Sequence, residues 1–268
     1  MLTGEIDGYL TYYEIDDFTD PWKEPEMVLL HHGLGRTVDV WYGWVPILAR
    51  HYRVLRMDYR GHGRSAPPRP GYPWSLATLA REAKLLLDRL AVKRIHWVGE
   101  SLGGDVGIQF ANDYPDRIAS LTLCSTPYRY SRDMRAKARD WPEQLRHMSV
   151  KEWYLHDTTL RFDPDKDDQQ MIQWFADLVG GTAPDVLQAI LRFLPDVDVS
   201  ALCPKIKVPT LILHPGQSPI APVEEAQAMH QAIPNSRLVV YEDASHQIFL
   251  TRSEECAREM LRFLQSPA

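Results

Sequence analysis

Along the chain, short runs of consecutive apolar residues alternate with longer stretches in which apolar residues recur every three or four positions. The runs lie at residues 27–31, 53–57, 95–98, 121–124, 210–214 and 237–241. Met27-Val28-Leu29-Leu30 and Leu211-Ile212-Leu213 are apolar at successive positions, the pattern of strands covered on both faces. Leu76, Leu79, Ala80, Ala83, Leu86, Leu87 and Leu90 fall on one face of a helix predicted over 75–90. A last helix is predicted from Ser253, a candidate cap, with Cys256, Met260, Phe263 and Leu264 on its buried stripe. Strand alternating with helix predicts an α/β fold with a mostly parallel central sheet and helices on both faces.

One region breaks this rhythm. Residues 127–204 offer no strand, only charged helical text containing Trp141, Trp153, Phe162, Trp174 and Phe175, with a break at Gly180-Gly181 before Pro184. They predict a helical insertion, a cap, into a core made of residues 1–126 and 205–268.

Composition narrows the function classes. The 268 residues are 44 % apolar and 25 % charged, ordinary values for a folded globular protein. A net charge of −6 is the wrong sign for a nucleic-acid-binding chain. No apolar run is long enough to span a bilayer, and the first residues lack a basic leader. Cys124, Cys203 and Cys256 are widely spaced, which argues against a disulfide framework or structural zinc and favours the cytoplasm.

The candidate chemistry begins at Gly99-Glu100-Ser101-Leu102-Gly103, a G-x-S-x-G pattern. With each position filled by chance at about 7 %, roughly one chain in ten of this length would carry it, so context decides. Here it follows the strand at 95–98 and opens a segment, 102–113, that reads as a helix. A serine on such a sharp turn projects its hydroxyl from the backbone, and the helix N-terminus favours developing negative charge. The bland reading is a glycine-rich turn with a capping serine. A serine nucleophile needs a base, and His246, just after the last strand, reaches the same sheet edge if both loops leave carboxyl ends of strands. Its bland reading is a surface histidine capping the terminal helix, while His62 reads as structural, binding its own turn. The backbone N–H groups of Leu34 and Leu102 are the candidate oxyanion hole.

Together His32-Gly33-Leu34-Gly35, Asp58-Tyr59-Arg60-Gly61-His62-Gly63-Arg64-Ser65, Gly99-Glu100-Ser101-Leu102-Gly103-Gly104 and Ser245-His246 resemble the α/β-hydrolase superfamily. The likeness runs from about residue 9 to the C-terminus, and is strongest to bacterial ester and lactone hydrolases such as the 3-oxoadipate enol-lactonases. The resemblance implies a Ser-His-acid triad, a helical cap over the pocket, a small-molecule substrate and no cofactor or metal. A serine at position 101 argues against the branches that use an aspartate nucleophile.

The acid is where the chain departs from this pattern. The family's G-x-x-D-P-I-x-P stretch reads Gly216-Gln217-Ser218-Pro219-Ile220-Ala221-Pro222, placing Ser218 at the acid position. The alternative location, Ser125-Thr126-Pro127, also lacks a carboxylate. Glu224 is the favoured substitute, ahead of Asp243, Asp196 and Asp198, although acids at helix starts and in turns are commonplace. In the insertion, Trp153, Trp174 and Phe175 offer an apolar lining, and Arg132, Arg135 or Arg161 a carboxylate clamp, against the plainer reading of packing aromatics and solvated arginines.

These residues predict hydrolysis of a small carboxylic ester or lactone through an acyl-enzyme on Ser101. Three further readings share the constellation: a carbon–carbon bond hydrolase of a ring-cleavage product, a cofactor-free dioxygenase, and a non-enzymatic small-molecule receptor.

Overall fold

The computed structural model describes residues 2–265. Eight strands form one sheet: β1 (Leu2–Ile6), β2 (Tyr9–Asp16), β3 (Met27–His31), β4 (Arg53–Met57), β5 (Ile95–Glu100), β6 (Ile118–Cys124), β7 (Thr210–Pro215) and β8 (Ser236–Tyr241). Their order is β1-β2-β4-β3-β5-β6-β7-β8; β2 pairs antiparallel with β1 and β4, and the remaining pairs are parallel. Every residue of β3, β5 and β7 is buried, including His31, His96, Glu100 and His214 within their largely apolar runs. The edge strand β1 alternates and is largely exposed.

Outside the segment between β6 and β7 the helices are α1 (Val45–Leu48), α2 (Leu76–Arg89), α3 (Leu102–Asp113), α8 (Val223–Ala232), α9 (Ile248–Thr251) and α10 (Ser253–Gln265). Ser75 caps α2, its hydroxyl accepting from Thr78 N–H at 3.1 Å. Leu79, Ala80, Ala83, Leu86 and Leu87 form the buried stripe of α2, which packs against α3. Ser253 differs from expectation, because it is the first residue of α10 and not its cap. The single turn α9 leads into α10 almost directly, so no extended cap residue separates them.

Between β6 and β7 lie α4 (Arg132–Gln144), α5 (Val150–His156), α6 (Gln169–Gly180) and α7 (Pro184–Phe193), with the Gly180-Gly181 break separating the last two. A lone antiparallel bridge, Arg129 to Asp198, closes the neck of this segment. Val199 N–H donates to the Tyr128 carbonyl at 3.2 Å beside it. Ser149 and Glu152 form a reciprocal capping box at the start of α5. Trp141, Trp153, Tyr154, Phe162 and Phe175 are buried and meet largely edge-to-face, so aromatic packing is the interior of this segment.

The sequence pattern missed the N-terminal hairpin. β1 and β2 turn at Asp7-Gly8, both with positive φ, the conformation that favours this dipeptide in tight hairpins. Strand lengths differ too: β5 runs on through Gly99 and Glu100, and β6 starts at Ile118.

Candidate active site

Ser101 is a single-residue corner. Strand β5 ends at Glu100 and α3 begins at Leu102, leaving Ser101 between them at φ 50° and ψ −123°. That conformation is strained for a residue with a Cβ, and the surroundings impose it. Ser101 N–H donates to the Cys124 carbonyl at 2.9 Å, and the Ser101 carbonyl accepts from Gly104 N–H at 2.8 Å. Close approach explains the flanking glycines: a Cβ on Gly99 would lie 2.2 Å from the Gly103 carbonyl oxygen, and one on Gly103 2.2 Å from that of His31. The corner therefore exists only because strand, turn and helix touch backbone to backbone.

Leu102 opens α3, so its N–H belongs to the first turn, where helical amides have no intrahelical partner. Leu34 lies in the loop after β3. This loop is braced by Gly33 N–H donating to Glu100 Oε2 at 3.0 Å, and by Arg36 Nη1 donating to the Leu34 carbonyl at 2.8 Å. Asp58, at the end of β4, braces the adjoining turns by accepting from Val38 N–H at 2.7 Å and Arg64 N–H at 3.0 Å. Its burial raises its pKa to about 6. His62 is buried with Nδ1 3.0 Å from the Arg60 carbonyl, so it serves its own turn.

His246 follows β8 and precedes α9, and it is buried. Its Nδ1 lies 3.0 Å from Ser218 Oγ, which also accepts from Ala221 N–H at 3.1 Å. Glu224 is an exposed residue in the first turn of α8, and its side chain is not the partner of His246. Asp243 pairs with Arg252 at 2.7 Å and Asp196 with Arg139 at 2.8 Å, while Asp198 accepts from Ser200 N–H at 2.9 Å. The group against the imidazole is thus the serine that stands at the acid position.

Ser101, His246 and Leu34 line one narrow cavity of about 40 Å³. The helical segment supplies much of the remaining wall, including Trp141, Trp153, Tyr154 and Arg161. Of the expected lining residues, Trp153 and Arg161 are there; Phe175 is buried and lies outside the wall, and Trp174 is 38 % exposed. Arg132 is exposed and Arg135 half-buried, neither at the cavity.

Arg36 is a cavity residue that the sequence pattern did not single out. It is buried, donates to Gln247 Oε1 at 3.1 Å, and places Nε 3.2 Å from Glu100 Oε2. Its position directly after Gly33-Leu34-Gly35 was the available signal. Gln247 also donates to the Tyr154 hydroxyl at 3.3 Å. Two further contacts fasten the His246 loop to the helical segment: Ser245 Oγ donates to Asp167 Oδ2 at 3.0 Å, and Gln247 N–H to the Arg161 carbonyl at 3.2 Å.

Electrostatically the site is positive. Burial, followed by the neighbouring Arg36, His214 and Arg161, holds His246 well below the usual histidine pKa, so it is neutral at pH 7. Burial raises Glu100 to about 7, against the opposing pull of Arg36 and the Gly33 amide. Among the described residues no cluster of His, Cys, Asp and Glu has the makings of a metal site. No described helix is long and apolar enough to cross a membrane, and all three cysteines are buried and free.

A strand-corner serine beside a histidine loop, on a mostly parallel sheet, places the chain in a known class. A family model of the alpha/beta hydrolase fold matches residues 26–189, and a second, of TAP-like proteins, matches residues 195–268. The chain belongs to the alpha/beta hydrolase fold family. The enol-lactonase of Burkholderia xenovorans superposes with a TM-score of 0.89 at 25 % identity, over 99 % of this chain and 100 % of that one. A thermophilic esterase of Thermogutta terrifontis superposes with a TM-score of 0.87 at 25 % identity, over 99 % of this chain and 98 % of its own. In sequence the chain is 32 % identical to a pimeloyl-[acyl-carrier protein] methyl ester esterase of Aeromonas hydrophila, over 86 % of this chain and 92 % of that protein. It is 28 % identical to a putative carbamate hydrolase of Pseudomonas savastanoi, over 90 % and 94 %.

Proposed function

We propose that the chain is a serine hydrolase of small carboxylic esters or lactones, acting through an acyl-enzyme on Ser101. The observation that carries this reading is the shared cavity of Ser101 and His246, with Ser101 held in a strained corner at a helix N-terminus. In this mechanism neutral His246 takes the Ser101 proton on Nε2, and Oγ attacks the carbonyl carbon. The oxyanion so formed receives the N–H groups of Leu34 and Leu102. When the intermediate collapses, the C–O bond to the leaving group breaks and the imidazolium returns its proton to that oxygen. Water then repeats the cycle on the acyl-enzyme, releasing the acid and restoring Ser101.

Ser218 is placed to support the tautomer this chemistry needs. Its oxygen has two lone pairs: one faces the Ala221 amide, and the other can accept Nδ1–H, which leaves Nε2 as the base. It brings no charge to stabilise the imidazolium. In a serine protease triad, replacing the acid by its amide lowers turnover by about 10⁴.

The test is hydrolysis of short acyl esters and lactones by wild type, S101A and H246A. Each variant is expected to lose at least about 10³-fold in kcat. Undiminished turnover in S101A would refute the acyl-enzyme route, and tight ligand binding without any product would favour a receptor.

A further inference from the structure

We propose that the cavity takes a substrate bearing a carboxylate near its ester or lactone carbonyl, clamped by Arg161 and Arg36, and that this carboxylate supplies the negative charge missing at Ser218. The inference rests on the hydrolase reading and names the substrate class of the same site.

Arg161 carries most of the argument. It is 5 % exposed and lines the cavity. Its guanidinium carbon lies 4.5 Å from the centre of the Tyr154 ring, 5.0 Å from Trp153 and 5.8 Å from Trp141. Of its five N–H donors, one reaches the Asp157 carbonyl at 3.2 Å. Among the described residues no carboxylate stands within ion-pair distance of it. Aromatic faces hold a cation without neutralising it. A buried guanidinium with no counter-ion is a costly arrangement, and it is relieved by an anion that enters the cavity.

Arg36 is a second cation in the same wall. Among the described residues its one close carboxylate is Glu100, 3.2 Å from Nε, and burial raises the Glu100 pKa, which weakens its hold as a counter-ion. Beyond these two guanidiniums, the walls are apolar or neutral, and among the described residues no carboxylate lines the cavity.

The third observation is Ser218. An imidazolium forming on His246 meets two cations and a neutral hydroxyl, the reverse of what its transition state requires. A carboxylate between Arg161 and Arg36 corrects that field. A neutral ester leaves it uncorrected, so the charge of the substrate does part of the work of the triad acid.

The test follows p-nitrophenol release from mono-p-nitrophenyl glutarate and its methyl ester, which differ by one charge and one methyl group. Wild type should favour the anionic substrate in kcat/KM by at least about 30-fold, the scale of one hydrogen bond to a charged group. R161M should bring that ratio close to unity, while S218D should speed the neutral ester about tenfold or more and the anionic one less. A wild-type ratio near one, or a ratio untouched by both variants, overturns the proposal. S218D leaves both arginines in place, so the test survives a misfolded R161M. If wild type hydrolyses neither ester, the hydrolase reading has failed and the charge-supply role falls with it. The clamp is then judged separately by calorimetric binding of glutarate: a loss of tenfold or more in R161M sustains it, and no binding to wild type ends it.

Discussion

Ser101 and Arg161 line the same cavity, yet they are held there by opposite means. The serine sits where backbone meets backbone, in a corner so tight that Gly99 and Gly103 have no room for a methyl group. The arginine hangs from a helical segment whose interior is aromatic, and it is positioned by ring faces and one carbonyl. The first arrangement tolerates almost no change of sequence but fixes an atom closely. The second holds its side chain by packing against ring faces. In the proposed mechanism, chemistry belongs to the sheet body and selection to the helices.

The hardest blow to the body is G103A. Its Cβ would press on the His31 carbonyl, with no flexible side chain to give way. Displacing Ser101 by about 1 Å costs about 100-fold in kcat, and overpacking removes up to about 3 kcal/mol of stability, both readable from kinetics and thermal melts. A fully active G103A would break the contrast.

W153A is the matching change in the helices. It removes a buried ring and should destabilise the fold by about 3–5 kcal/mol. Because Trp153 also faces Arg161, kcat/KM for an anionic ester should fall about tenfold while that for a neutral ester changes little. An equal fall for both esters would show that Trp153 does not act through Arg161.

D167A probes the seam. Losing the Ser245 contact should cost about 1 kcal/mol, seen as a small fall in kcat through a looser His246 loop.

The pH profile separates the two regions most finely. Because burial and the two arginines depress His246, its neutral form survives below the ordinary histidine range. In wild type, kcat/KM on a neutral ester should therefore hold level as pH falls through 6.5, with its acid limb lower. S218D adds a charge that favours the imidazolium, so the limb should move upward. An acid limb already at 6.5 in wild type, unmoved by S218D, would contradict this electrostatic picture.

Much of the body was legible in the text because fully buried strands write themselves as consecutive apolar residues, as at Met27–His31. The hairpin of β1 and β2 was not, since an exposed edge strand such as Leu2–Ile6 has no such run, and only Asp7-Gly8 signalled it. That Ser101 and His246 would share one cavity was legible through spacing and chain order. Arg36 and the bare state of Arg161 were not, because periodicity reports faces of helices and strands and says nothing of which charges lack partners. The departure at Ser218 was readable, but the text pointed to Glu224 as a replacement. The hydroxyl itself occupies the place beside Nδ1, and a helix-start carboxylate in solvent does not reach it.

The central claim is that Ser101 is the nucleophile activated by His246. Labelling with a fluorophosphonate, in which the serine oxygen bonds phosphorus and fluoride departs, tests it most directly. The account predicts one label per chain, mapped to the peptide carrying Ser101, absent in S101A and strongly slowed in H246A. A wild-type protein that hydrolyses esters while remaining unlabelled, or that carries its label elsewhere, would contradict it.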